Sequence, residues 1–207
     1  MTATSEFLSG SERARMIARV AACLFAERGY DATGVQAIVE AAGVTKPTLY
    51  YHFGSKEGLA QALLTRPLTV LLGDLRSAVE GAEGPLEGLV GFIAEHFAFI
   101  REDPDRARFL YAVFFGPLGS SLATELAGFA RQFDDLLRDA IARMTREGLV
   151  NESRSEAFFT AVRGLIVVRT MDHLYCQSEL GTDLARPLVR DLLEGFGART
   201  ASAGAGP

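Results

Sequence analysis

Apolar positions along this chain recur at spacings of three and four residues almost from end to end, the period of helices packed on one face. No stretch alternates with the two-residue period of a strand. Residues 1–8 are expected to form a disordered arm. Ser9 and Glu12 make an S-x-x-E box, which predicts a helix running to about Arg28 and closed by Gly29. Its inward stripe is Ile17, Val20, Ala21, Leu24 and Phe25. Thr33 and Gln36 make a T-x-x-Q box ahead of a second helix, with Val35, Ile38, Val39 and Ala42 inward. Gly43 supplies a tight turn. Thr45 is then expected to cap a third, short helix through its hydroxyl, and Pro47 is tolerated in its first turn. On a helical wheel Leu49 and Phe53 share one side of it, while Pro47, Thr48 and Tyr51 lie opposite, flanked by Tyr50 and His52.

From Ser55, a capping residue, the helical pattern continues to about Val79 through Leu59, Leu63, Leu64, Val70 and Leu71. Pro67 interrupts it, so one kinked helix or two pieces are expected, linking what lies on either side. Residues 80–85 read as a loop. The helix from about Leu86 to Arg101 carries two apolar stripes. Leu89, Ile93, Phe97 and Ile100 fill one, and Phe92, His96 and Phe99 the other. Such a helix packs on two sides, or packs on one and lines a cavity with the other. Asp103-Pro104 breaks it before a short segment, 105–115, rich in aromatics (Phe109, Tyr111, Phe114, Phe115) and ended by Gly116-Pro117. A long helix, about Ser121 to Arg146, turns Leu122, Leu126, Phe129, Phe133, Leu136 and Leu137 inward. Glu156 to Gln177 is apolar nearly all round, interrupted by Arg163, Arg169, Asp172 and His173, of which Arg169 can meet Asp172 or His173. A last helix, about Asp183 to Phe196, has a broad apolar face, and the Ala/Gly/Ser-rich end is expected to be disordered. The fold class predicted is all-α: a three-helix N-terminal unit at 1–56, a larger helical unit at 57–198 and a tail at 199–207.

Helix, short glycine-containing turn and second helix make a helix-turn-helix, whose second helix can enter a DNA major groove. Its outer face shows hydroxyls, rings and a histidine, too few apolar groups for a core. Lys56 in the first turn of the next helix opposes the helix dipole, which makes sense if a phosphate sits between the ammonium and the free N–H groups. The only two lysines of the chain, Lys46 and Lys56, both lie in this stretch. Ala42-Gly43-Val44, Thr48-Leu49-Tyr50, His52-Phe53, Lys56 and Leu59, preceded by Thr33, Val35 and Ile38, resemble the DNA-binding domain of the tetracycline-repressor (TetR) family of bacterial transcription regulators. The resemblance spans roughly the first third of the chain. Pro47 stands where many members carry Gly, and Val39 where Ala is commoner. Pro47 alters the surface shown to DNA, so no operator follows by analogy. Beyond about Leu64 the resemblance implies only an all-helical ligand-binding and dimerisation domain.

Net charge is −5 over 207 residues, which argues at first against a nucleic-acid partner. Residues 1–66 carry +1 and the remainder −6, so the DNA-facing third is the less acidic one. No apolar run approaches the roughly 20 residues of a membrane helix and no signal peptide is visible, so a cytoplasmic protein without membrane contact is expected. Cys23 and Cys176 read as small buried hydrophobes of a reducing compartment. There is no nucleophile elbow, no glycine-rich phosphate loop and no ligand pair at metal spacing, so neither an enzyme nor a cofactor is expected.

The resulting expectation is a homodimeric repressor, paired through its last two helices, on a palindromic double-stranded operator, and released by a small hydrophobic or aromatic ligand. Thr48, Tyr50, Tyr51 and His52 are expected to face the groove, and Lys46, Lys56 and Thr33 the DNA backbone, with Gln36 and Pro47 in the same contact set. The cavity is expected among Phe92, His96, Phe99, Phe114, Phe129, Phe133, Arg169 and His173, with His96 and Arg169 as its polar points. The different-class alternative is a helical interaction module whose helix-turn-helix is only a packing motif.

Overall fold

The computed structural model describes residues 11–116 and 121–195. The arm at 1–8, Ser9 of the first capping box, Pro117, Phe196 and the tail at 199–207 lie outside the described residues. Among the described residues there are nine α-helices and no strand, and the fold is all-α. Three short helices, α1 (Glu12–Arg28), α2 (Val35–Ala41) and α3 (Lys46–Phe53), precede a long one, α4. Helix α4 comprises Lys56–Ala60, a π-helical stretch Gln61–Thr65, and Arg66–Glu80. Then follow α5 (Pro85–Glu102), α6 (Pro104–Phe114), α7 (Ser121–Arg146), α8 (Ser155–Cys176) and α9 (Ala185–Glu194).

Local chemistry sets the boundaries. Pro85 and Pro104 open their helices, where a missing N–H is harmless. Asp103 both ends α5 and caps α6, its carboxylate accepting from the Arg106 N–H at 3.0 Å. Two expected caps do not form. Thr45 stands at the N-cap of α3, but its hydroxyl bonds the Thr48 hydroxyl at 2.9 Å instead of a backbone N–H. In the T-x-x-Q box Gly34 is the N-cap, and the Thr33 hydroxyl points back to donate to the Gly29 carbonyl at 2.8 Å. Gln36 reaches Glu40 one turn on, at 2.5 Å.

Helix α4 runs through Pro67 without interruption. Its irregularity lies in the preceding turn, where the Arg66 N–H bonds the Gln61 carbonyl, five residues back. Proline has no N–H and its ring clashes with the carbonyl four residues earlier, so a widened turn accommodates both faults. Helix α5 lies close against α4 because Gly88 and Gly91 lack side chains: a Cβ on either would come within 3.3 Å of Val79 or Ala78.

One continuous core runs from Ile17 on α1 to Val189 on α9. Where α1 meets α6, the ring of Phe25 lies 4.8 Å from that of Phe109, and Tyr30 closes the cluster at 5.1 Å from Phe25 and 6.4 Å from Phe109. Helix α8, apolar nearly all round, is not covered on every side within one chain: Ala157, Ala161, Gly164, Val168 and Tyr175 form an exposed stripe along it. Cys176, expected to be buried, is exposed at the end of α8, and Cys23 is half-buried.

Phe25 is fully buried, and its replacement by alanine is expected to cost about 3–5 kcal/mol of stability. Urea unfolding should show a lower midpoint with little change of slope; a loss below about 1 kcal/mol would show that the ring cluster does not hold α1 to α6.

Candidate nucleic-acid interface and interior cavity

Helix α3 is anchored from one side only. Leu49 is fully buried and Phe53 packs on the core, and these two fix the rotation of the helix. Gly43 (φ 62°) provides the left-handed turn before it, with the Val44 N–H bonded to the Val39 carbonyl at 2.9 Å. The opposite face is open. Tyr51 is 85% exposed and Tyr50 46%, and Lys46 and Pro47 are exposed beside them. Thr48 and His52 are half-buried. The His52 ring stands edge-on to Tyr51 at 5.1 Å, and its Nε2 is 3.4 Å from the Ser11 hydroxyl. The start of α1 thus borders α3, and Ser11, Glu12, Arg13, Pro47, Thr48, Tyr51 and His52 form one shallow concavity. Arg13, Arg15 and Arg19 are all exposed along α1.

Three residues of the predicted contact set are placed differently from the face of α3. Thr33 is 1% exposed with its hydroxyl satisfied inside, so its side chain is not available to a DNA backbone. Gln36 is exposed on α2, engaged with Glu40. Lys56 is half-buried and holds its ammonium 4.3 Å above the Tyr30 ring. Burial, then the nearby Glu57 and Asp31 charges, push the Tyr30 phenol up to about 12, so the ring under Lys56 stays neutral. Ser55 caps this helix as expected, accepting from the Gly58 N–H at 3.0 Å.

A cavity of about 100 Å³ lies between α4, α5, α6, α7 and α8. Leu68, Leu71 and Leu72 form its α4 wall, Leu110, Tyr111 and Phe114 come from α6, and Phe129 and Phe133 from α7. His96 reaches it from α5, and Arg163, Ile166 and Val167 from α8. His96, Phe114, Phe129 and Phe133 are therefore brought together as the sequence predicts. Phe92 is buried one layer behind, its ring 4.9 Å from Phe133. Phe99 points elsewhere, because the buried Arg106 guanidinium stacks on it at 4.2 Å and bonds its carbonyl at 3.0 Å. Arg169 is not in the wall: it sits about 120° around α8 from Arg163 and pairs with Asp172 at 4.0 Å. His173 closes the end of α8, its Nδ1 2.8 Å from the Ser178 carbonyl.

The polar residues that sequence reasoning missed are Tyr111, Asp134 and Arg163. Arg163 donates through Nε to Asp134 at 2.7 Å, a pair 29 residues apart that no local spacing reveals. Tyr111 was visible among the aromatics of α6; burial raises its phenol above the ordinary range. Burial also pushes the His96 imidazole down to about 4, so it is neutral at physiological pH.

Residues 17–63 match the family model described as bacterial regulatory proteins, tetR family. The transcriptional activator FasR of Mycolicibacterium smegmatis is 34% identical over 104 residues, 50% of this chain and 48% of that protein. The transcriptional repressor KstR2 of Mycobacterium tuberculosis is 41% identical over 81 residues, 39% of this chain and 40% of that protein. The chain thus spans half the length, or less, of these curated relatives. Over nearly its full extent it follows the crystal structure of PfmR, a TetR-family regulator of Thermus thermophilus: 25% identity, 91% of this chain and 99% of that one, TM-score 0.72.

Over residues 17–63 the chain is of the TetR family, and its fold is that of a TetR-family regulator. The TetR model runs from Ile17 within α1 through α3 to the first turns of α4, and stops short of Leu68, so every side chain of the cavity lies beyond it. These TetR-family relatives are named transcriptional regulators, not enzymes. No helix among the described residues is long and apolar enough to cross a membrane.

The depressed His96 fixes a pH dependence. Its folded value lies below the unfolded one near 6.5, so its share of stability is complete above about pH 6.5 and is lost as pH falls toward 4. That share is on the order of 3 kcal/mol. Chemical unfolding at several pH values should therefore show a shallower acid decline in His96→Phe than in the native chain; parallel curves would show that His96 is not held neutral.

Proposed function

We propose that this chain is a sequence-specific DNA-binding repressor, acting as a homodimer on a palindromic operator and released by a small, mostly apolar molecule in the cavity. The observation that carries the reading is the one-sided anchoring of α3, which leaves Tyr50, Tyr51 and Thr48 outward beside the exposed start of α1. Bases would be read by Thr48, Tyr50, Tyr51 and His52, with Pro47 shaping the approach and Gln36 at the edge. Lys46 and Arg13 are placed for phosphates; Lys56 would have to leave Tyr30 or share it with one. Repression follows the name of KstR2, whereas FasR is named an activator. The site of action would be the cytoplasm, where the DNA is.

Dimerisation through α8 and α9 is supported by the exposed stripe of α8. Alanine, glycine and valine at 157, 161, 164 and 168 allow close approach of a second helix, and a two-fold axis would pair the stripe with its own copy. Release is supported by α6, which faces the cavity with Leu110, Tyr111 and Phe114 and faces α1 with Phe109. A molecule that favours one setting of α6 would change the spacing of two reading heads, which must match half-sites about 34–36 Å apart. Linkage then requires DNA to weaken ligand binding by the same factor that ligand weakens DNA binding.

Selection of genomic fragments by the purified protein, with salt titration of the retained sequence, tests the reading. Tyr51→Ala is expected to cost about 1–3 kcal/mol on the retained operator and less on random DNA. Lys46→Ala should weaken both alike and lower the salt slope by about one. Equal losses on both DNAs for Tyr51→Ala would leave α3 without a reading role, and no salt-sensitive retention at all would favour a helical interaction module. Val168→Glu should give monomers in sedimentation and lose operator affinity; a monomeric native chain with full affinity would end the dimer.

A further inference from the structure

The unusual group in the cavity wall is His96. It is 6% exposed, and among the described residues neither ring nitrogen has a hydrogen-bond partner. A neutral imidazole carries one donor and one acceptor, and buried groups of this kind are ordinarily paired. The ring is held edge-on to Phe133 at 5.4 Å, so packing fixes where its nitrogens lie.

The other ionisable groups facing the cavity are Tyr111, Asp134 and Arg163, from α6, α7 and α8, while α4 presents leucines. Arg163 and Asp134 are paired at 2.7 Å and are 40% and 29% exposed, which together with the 42% exposed Phe114 marks the mouth. The Asp134 carboxylate balances the Arg163 charge, so the mouth carries no net charge. His96 itself is kept uncharged by burial. Among the described residues the interior therefore offers an oxygen a neutral hydrogen-bonding partner, and offers an anion no cation that lacks a carboxylate partner. The volume, about 100 Å³, is of the order of apolar cavities that hold a benzene ring.

We propose that the cavity takes a neutral, ring-sized apolar molecule whose carbonyl or hydroxyl oxygen is hydrogen-bonded by His96, and that it rejects the matching carboxylate. A carbonyl accepts from the imidazole N–H; a hydroxyl accepts from it or donates to the bare nitrogen. The carboxylate would surrender its hydration to a wall of leucine and phenylalanine. This inference rests on reading the cavity as a ligand site, and it names the ligand's class.

The test uses the full chain without DNA and four probes of similar size: acetophenone, benzyl alcohol, ethylbenzene and benzoate, each measured by calorimetric titration. Acetophenone or benzyl alcohol should bind about tenfold or more tightly than ethylbenzene and benzoate. The imidazole nitrogen resonances of His96 should move on binding while keeping the pattern of a neutral ring. His96→Phe, which keeps an aromatic ring against Phe133, should erase the preference over ethylbenzene, and His96→Gln should retain part of it. Benzoate binding as tightly as the ketone, a preference that survives in His96→Phe, or binding of none of the four overturns the proposal. If the ketone binds as described but operator affinity is unchanged, the ligand class stands and the release mechanism falls.

Discussion

Three rings, Phe25, Tyr30 and Phe109, hold the reading unit against the rest of the molecule, and most of what the chain can do depends on that contact. A unit of three short helices buries too little on its own to be firmly stable. Here it borrows a wall from α6, and in return α6 is fixed between two partners. The next residues along the same helix, Leu110 and Tyr111, are already in the cavity. Protein interiors are close-packed, so α6 cannot shift on one side without a response on the other.

How far this was legible from the sequence depended on how local the cause was. The orientation of α3 follows from Leu49 and Phe53, four residues apart, and needs no other part of the chain. The lengths of α5 and α7 follow from Pro85, Asp103 and an unbroken apolar period. Thr33 was not legible, because the carbonyls that take its hydroxyl belong to the end of the preceding helix, at Gly29 and Leu24. Arg169 and Arg163 could not be ranked by pattern, since both interrupt the same apolar helix. Only the rotation of α8 against α7, where Asp134 waits for Arg163, separates them. Phe99 shows the same difficulty in reverse: a stripe shared with His96 did not disclose that Arg106, buried seven residues further along the chain, would claim its ring.

Charge plays a restrained part in this molecule. The ion pairs with an exposed partner, such as Arg186 with Glu87 at 3.2 Å and Arg76 with Glu80 at 3.9 Å, contribute little in water. The consequential polar groups are those turned inward. Arg106 is 2% exposed and relies on the Phe99 ring and carbonyl and on Glu102. An unpaired guanidinium there would be far costlier than any surface pair is favourable, so the α5–α6 corner tolerates little substitution.

The π-helical turn at Gln61–Thr65 carries a consequence for how this chain can change over time. Such a turn holds one residue more than the α-helical turn it replaces, and so absorbs an extra residue within α4 without turning its two ends against each other. Loss of a single residue there would restore the regular ladder and leave the segments on either side in nearly the same relative orientation, because the widened turn already absorbs the extra residue. Leu68 and Leu71 in the cavity wall and Lys56 beside Tyr30 lie on opposite sides of that point. A one-residue deletion at this site would therefore keep the reading head aimed as it is, whereas the same deletion elsewhere in α4 would turn it by about 100° against the cavity.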